Sequence, residues 1–154
     1  MRFQIVAVGR AKAGPERSLF QLYKARLQEP FSLHLTEVEE KRALRGSQLR
    51  QKEASLLQGC VNDGAIIVAL DEREKSLSSI SFAGKISNWR DQGIRDVAFV
   101  IGGADGLDES IRRQAHYAIS FGAQTWPHML VRGLLAEQLY RAQCILSGHP
   151  YHRK

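Results

Sequence analysis

Two unbroken apolar runs limit the folds that this chain of 154 residues can adopt. Ala65–Leu70 and Val97–Ile101 contain no polar side chain, which is typical of parallel strands covered by helices on both faces. Phe3–Val8 is a third, largely apolar strand, and segments with helical spacing lie between the strands. The alternation predicts an α/β class with a mainly parallel sheet flanked by helices, in one domain over residues 1–154.

Several less regular segments are assigned from local signals. Glu39–Gln48 is charged and lacks a pattern, which indicates a loop. Asp108 can cap a helix that continues through Ala118. A very short strand is expected at Ile119–Phe121, and a final helix at about Leu130–Leu146.

The charge of the chain favours a polyanionic partner. The chain has 22 Lys and Arg residues against 16 Asp and Glu residues, a net charge of +6 and a pI near 9.6. The same net charge is also compatible with a basic enzyme that has no polyanionic partner. Cys60 and Cys144 each lie inside an apolar helical pattern, so we expect two buried free thiols and neither a disulfide nor a metal site. A chain that starts directly with a strand and has no long apolar run is expected to be cytoplasmic.

A glycine-rich loop, Gly102–Gly106, follows one central strand and precedes a helix. Glycines let a backbone approach a ligand, and the carboxyl ends of parallel strands are where such sheets bind ligands. The loop is neither a dinucleotide-binding fingerprint nor a phosphate loop, and a plain tight turn is the alternative. Asp71 ends the neighbouring strand, so it should lie at the same edge of the sheet.

His128 follows Pro127 in a loop, and Arg132 lies one helical turn further on. His128 is either a hydrogen-bonded structural residue or a catalytic one. Arg132 could hold an anionic group or form an ion pair with Glu137.

The C-terminal tail combines aromatic and cationic side chains. Tyr151 and His152 offer stacking surfaces beside Arg153, a combination that suits nucleic-acid bases, although a solvated tail is the default for such a segment. His149 and His152 lack a matching cluster of Cys or carboxylate residues, so we predict no metal site.

These motifs together resemble the RlmH (YbeA) family, a group of small SPOUT-class methyltransferases that act on a pseudouridine of 23S ribosomal RNA. The resemblance covers the whole chain, and its most specific motifs lie in the last third. They are Ile101-Gly102-Gly103 with Gly106-Leu107, Pro127-His128, Glu137-Gln138 with Tyr140-Arg141-Ala142, and Tyr151-His152-Arg153.

The resemblance implies a SPOUT-type α/β knot, a deep trefoil knot, in a protein that works as a homodimer. It also implies that S-adenosyl-L-methionine binds, bent, in the knot. The residues that would form its pocket, largely through backbone groups that read the adenine, are Leu70, Gly102, Phe121, Gly122, Ala123, Gln124, Thr125 and Trp126.

The implied reaction is methyl transfer from the cofactor to N3 of a pseudouridine in 23S ribosomal RNA. N3 carries a proton and is a poor nucleophile until that proton leaves or charge on the base is stabilised. Cations at Arg132 and Arg153, with His128, would lower that barrier, and Tyr151 and His152 would help to shape the nucleotide pocket. The family pattern suggests that the tail comes from the partner subunit. The proton acceptor stays open between water and His128.

Two other functions are compatible with parts of the sequence. A non-enzymatic ribosome-binding or assembly factor could use the same basic surface without a cofactor. A flavodoxin-like nucleotide-binding enzyme would share the α/β pattern, but the sequence contains no phosphate loop. The methyltransferase interpretation places the substrate on the assembled ribosome.

Overall fold

The computed structural model describes residues 1–152 and contains one five-stranded parallel sheet between two layers of helices. Strands and helices alternate along the chain. The elements are β1 (Arg2–Val8), α1 (Pro15–Arg26), β2 (Ser32–Val38), α2 (Gly46–Gln58), β3 (Ile66–Leu70), α3 (Ser79–Asp91), β4 (Asp96–Ile101), α4 (Glu109–Gln114), β5 (Tyr117–Ile119) and α5 (His128–Ser147). The predicted α/β class is therefore confirmed.

The strand order is β2-β1-β4-β3-β5, and every pairing is parallel. β1 and β3 both pair with β4, which makes β4 the centre of the sheet. All five strands therefore present their carboxyl ends at one edge, and the loops that follow β3, β4 and β5 lie side by side there.

Alternate residues of the central strands pack against different helix layers. Phe3 and Phe99 lie in the larger core with buried residues of α1, α3 and α5. Val6 and Val100 lie in a smaller core with Ala54 and Leu57 of α2 and Ile111 of α4. Burial on both faces explains why the central strands contain so few polar residues.

Four boundaries differ from the sequence prediction. α5 begins at His128, so His128 lies in the helix and not in the loop before it. α2 begins at Gly46, within the segment predicted to be a loop. α4 ends at Gln114, so Ala118 lies in β5 and not in the helix. The short strand is Tyr117–Ile119, two residues earlier than predicted. The backbone N–H of His116 donates to the carbonyl of Ile67 at 2.9 Å, which draws the chain onto the sheet directly after the helix.

Candidate functional site

A cavity of about 930 Å³ opens at the carboxyl edge of the sheet, between the loops that follow β3, β4 and β5. This volume lies in the range of small-molecule sites. Most of the residues that the sequence assigns to a cofactor pocket line it, whereas Ala123 is exposed and lies outside the lining. The assigned residues in the lining are Leu70, Gly102, Phe121, Gly122, Gln124, Thr125 and Trp126.

The glycine loop after β4 is closed by its own backbone. The N–H of Gly106 donates to the carbonyl of Gly103 at 3.0 Å, and Gly106 has a φ of +78°. A Cβ added to Gly102 would lie 2.7 Å from the carbonyl carbon of Gly106. Glycine at position 102 is thus required by the tight closure of the loop itself, before any approach to a ligand is considered.

Asp71 and Glu72, which follow β3, connect the three loops around the cavity. The carboxylate of Asp71 accepts a hydrogen bond from Arg73 and lies 2.5 Å from Nη2 of Arg112 on α4. The hydroxyl of Thr125 donates to Glu72 at 2.8 Å. Asp71 therefore does more than end a strand: its charge is used to hold α4 against the cavity.

Ser120 organises the loop after β5. Its buried hydroxyl donates to the carbonyl of Gly122 at 2.7 Å and accepts from the N–H of Gly122 at 3.0 Å. Gly122 has a φ of +109°, a conformation that strongly favours glycine. The loop thus holds a defined backbone shape along one wall of the cavity.

His128, the first residue of α5, also lines the cavity. Its imidazole lies beside Gly9 at the end of β1, where an added Cβ would be 3.4 Å from Nε2. Burial, together with the positive charge of Arg132, lowers the pKa of His128 below its ordinary 6.5. His128 is therefore neutral at pH 7, with a lone pair that can accept a proton.

Arg132 is buried, with 1% of its surface exposed, and lies outside the cavity lining. Its guanidinium donates to Glu37 at 2.5 Å and to the carbonyls of Val8 and Gly9 at 2.6 and 2.8 Å. The pairing with Glu137 that the spacing suggested is wrong, because Glu137 accepts from Arg141 instead. The structure brings Arg132 next to His128 but directs its donors to β1 and β2.

The tail lies on α1 and α5, and none of residues 149–152 lines the cavity. The Tyr151 ring is 4.8 Å from that of Tyr140, and its hydroxyl donates to Glu137 at 3.1 Å. The guanidinium of Arg141 lies over the Tyr151 ring at 4.8 Å. His152 is half-buried, and Arg153 lies outside the described residues. Within one chain, Tyr151 and His152 are therefore not brought to the cavity that His128 lines.

Four of the charged residues that sequence reasoning missed around this site contact residues far away in sequence. Arg50 and Arg112 line the cavity, Glu37 binds Arg132, and Glu53 is 7% exposed beside the glycine loop. An added Cβ at Gly103 would lie 3.2 Å from Oε1 of Glu53. Each lies on an element distant in sequence from its contact, so local spacing carried no signal for it.

Within residues 1–152, no helix combines the length and apolar character needed to cross a membrane. The same residues contain no group of three or more His, Cys, Asp or Glu side chains arranged to hold a metal ion. Cys60 and Cys144 are free thiols, as predicted, although only Cys144 is fully buried.

The parallel sheet and its carboxyl-edge cavity define an α/β protein with a cavity of small-molecule size. The family model described as "Predicted SPOUT methyltransferase" matches residues 1–152, and the chain belongs to this SPOUT methyltransferase family. It is 57% identical to a protein of Rhodospirillum centenum and 56% identical to one of Paramagnetospirillum magneticum, covering 99% of this chain and of each relative. Both relatives are named Ribosomal RNA large subunit methyltransferase H, which confirms the resemblance to the RlmH family.

A solved structure described as a probable methylase family protein from Haemophilus influenzae Rd KW20 shares the fold. It superimposes with a TM-score of 0.56 at 14% identity, over 99% of this chain and 70% of that one. The SPOUT fold predicted from the motifs is therefore confirmed.

Proposed function

We propose that this protein transfers a methyl group from S-adenosyl-L-methionine to N3 of a pseudouridine in 23S ribosomal RNA, on the assembled ribosome. The names of its close relatives support methylation of large-subunit ribosomal RNA. The observation that carries the proposal is the cavity at the carboxyl edge, where the loops after β3, β4 and β5 meet His128. In this proposal residues 1–154 act as one methyltransferase domain in the cytoplasm, where ribosomes are found.

The cavity suits the proposed cofactor in size and in the character of its walls. Its volume of about 930 Å³ can take a nucleoside with an amino-acid side chain. Leu70, Ile101 and Phe121 give apolar contact for a base, while backbone polar groups are available at Gly102, Gly122 and residues 124–126. When bound, the cofactor supplies an electrophilic methyl group on a sulfonium sulfur.

His128 is our choice for the proton acceptor. It is the imidazole at the cavity wall, and its lowered pKa keeps it neutral at physiological pH. A neutral imidazole near N3 of the pseudouridine could take the N3 proton as the N–C bond forms and the S–C bond of the methyl donor breaks, which would leave a neutral thioether. Arg132 acts here as a positioning residue, because its guanidinium fixes the start of α5 to β1 and β2.

The nucleotide pocket is proposed to be composite, in a homodimer whose chains each form the trefoil knot of the family. Tyr151 lies on α1 and α5, away from the cavity of its own chain. A second copy could place Tyr151, His152 and Arg153 over the cavity, where two rings and a cation would stack on the target base. This arrangement supports a dimer as the active form.

The experiment is methyl transfer from labelled S-adenosyl-L-methionine to assembled ribosomes that lack the modification, alongside calorimetric titration of the cofactor. The proposal predicts saturable cofactor binding and label in the 23S RNA. An assembly factor that uses the basic surface alone would bind ribosomes without binding the cofactor, and that result would replace the proposal.

A further inference from the structure

The positive charge of this protein is concentrated in residues 41–52, which we term the basic segment. It contains five cations and no Asp or Glu. The rest of the chain has 17 Lys and Arg residues against all 16 Asp and Glu residues, so the basic segment accounts for five of the six net charges. Its cations are Lys41, Arg42, Arg45, Arg50 and Lys52.

Most of these charges are exposed and unused by the fold. Lys41, Arg42, Arg45 and Lys52 are exposed, and Arg50 is half-buried. Among the salt bridges of residues 1–152, the pair of Arg42 with Glu40, at 3.0 Å, is the one that involves the basic segment. The other four cations are thus available to a ligand outside the chain.

The basic segment adjoins the cavity at one end. Arg50, on α2, is part of the cavity lining. Asp108 and Glu109, at the start of α4, line the same cavity as Arg50. The remaining cations lie outside the cavity on the surface around the start of α2.

We propose that the basic segment binds backbone phosphates of the RNA substrate and thereby presents the target nucleotide to the cavity. This inference rests on the proposed function and extends it to the surface that recruits the substrate. Phosphate binding by Lys and Arg needs no base sequence and supplies a large share of the affinity for nucleic acids. An RNA strand whose phosphates follow the exposed cations toward Arg50 would arrive at the cavity. A small anionic ligand would occupy one cation site and would not link the basic segment to the cavity.

The test compares two double variants of equal charge. Lys41→Ser/Arg45→Ser removes two exposed cations of the basic segment. Lys52→Ser is a separate single variant that removes a third cation of the same segment. The control is Arg90→Ser/Arg95→Ser, two exposed cations near the start of β4, at the amino edge of the sheet opposite the cavity. Affinity for unmodified assembled ribosomes is measured over a range of salt concentrations, together with the affinity for S-adenosyl-L-methionine.

We expect Lys41→Ser/Arg45→Ser to lower the affinity for unmodified ribosomes roughly tenfold at moderate salt. The slope of log affinity against log salt concentration should fall in magnitude by about 1 to 2. Lys52→Ser should show a smaller change in the same direction. The control variant should bind as the wild type does, and all variants should keep the wild-type affinity for the cofactor.

Three results would overturn the inference while leaving the proposed function intact. The first is wild-type ribosome affinity in Lys41→Ser/Arg45→Ser, and the second is an equal loss of ribosome affinity in the control variant. The third is a loss of affinity with an unchanged salt slope, and this result would indicate a protein partner on the ribosome. A wild-type protein that methylates no RNA would instead overturn the proposed function, and this inference with it.

Discussion

At the scale of single residues, one buried guanidinium determines where the candidate catalytic group lies. Arg132 has 1% of its surface exposed and uses its donors on Glu37 and on the carbonyls of Val8 and Gly9. These contacts tie the first turn of α5 to the ends of β1 and β2. His128 lies one turn earlier, so its position in the cavity wall depends on Arg132.

Replacing Arg132 by Met should therefore destabilise the protein and displace His128. Removing one partner of a buried ion pair leaves Glu37 and two carbonyls without their donor, and we expect a loss of about 3 kcal/mol in the free energy of unfolding. Urea denaturation measures the loss, with Arg90→Met on the exposed surface as the control. A loss no larger than that of the control would show that the buried pair contributes little.

His128→Gln should reduce turnover while leaving the fold and the cofactor site in place. Loss of a general base typically costs roughly 100-fold or more in rate. Because the pKa of His128 is lowered, the wild-type rate should fall only below pH 6.5, when the imidazole is protonated. Single-turnover rates across pH check this: the variant should lack the acid limb, and an identical limb in the variant would favour water as the acceptor.

Glu53 provides a stability test that is independent of activity. Burial, with a smaller effect of Asp105, raises the pKa of this carboxyl above its ordinary 4.5, so the folded state prefers the protonated form. Stability from this group is present at low pH and is lost as pH rises through the raised pKa. Glu53→Gln should therefore be more stable than the wild type at pH 7, on the order of 1 kcal/mol.

Thermal or urea unfolding at pH 5 and pH 8 measures this difference. The gap between Glu53→Gln and the wild type should widen toward pH 8, because only the wild type gains a buried charge there. A gap that stays constant with pH would show that folding does not raise the pKa of this carboxyl.

At the scale of elements, the glycine loop after β4 depends on its own closure. Gly102→Ala places a Cβ 2.7 Å from the backbone of Gly106, so the loop must open. We expect a loss of about 1 to 3 kcal/mol in stability. Since the loop forms a wall of the cavity, cofactor affinity should fall roughly tenfold or more, as measured by calorimetry.

Gly84→Ala in α3 is the matched control for this change. An added Cβ there meets no atom within 4 Å, and the residue is exposed. Alanine should stabilise the helix by up to about 1 kcal/mol and leave cofactor affinity unchanged. Equal cofactor affinity in Gly102→Ala and Gly84→Ala would remove the loop from the proposed cofactor site.

The elements also show why the strands of the sheet could be predicted from the sequence, whereas the side-chain contacts of the site could not. The apolar runs that form β3 and β4 indicate burial on both faces of these strands, because a strand covered on both faces has no polar side. The end of α4 was missed because Ala115 and Ala118 continue a helical spacing, while a contact from His116 to Ile67, far away in sequence, ends the helix. The partner of Arg132 was missed for the same reason, since Glu37 lies on β2 and Glu137 is merely the nearer acid.

At the scale of the whole molecule, the tail and the cavity lie apart in one chain, and the proposed composite site would join them in a dimer. Tyr151 packs on Tyr140 and contacts Glu137, whereas His128 faces the cavity. Deleting residues 151–154 should abolish methylation while leaving dimerisation and cofactor affinity largely intact. Methylation assays with sedimentation of the truncated protein test this, and normal methylation by the truncated dimer would contradict a composite site.

The site of methylation on the RNA tests the central proposal most directly. Unmodified ribosomes are incubated with the protein and labelled S-adenosyl-L-methionine, and the nucleosides of the 23S RNA are separated and identified by mass spectrometry. We predict one labelled nucleoside, a pseudouridine that carries the methyl group on N3. Label on another atom or another base would contradict the proposed reaction, and no label together with no cofactor binding would identify the protein as a ribosome-binding factor.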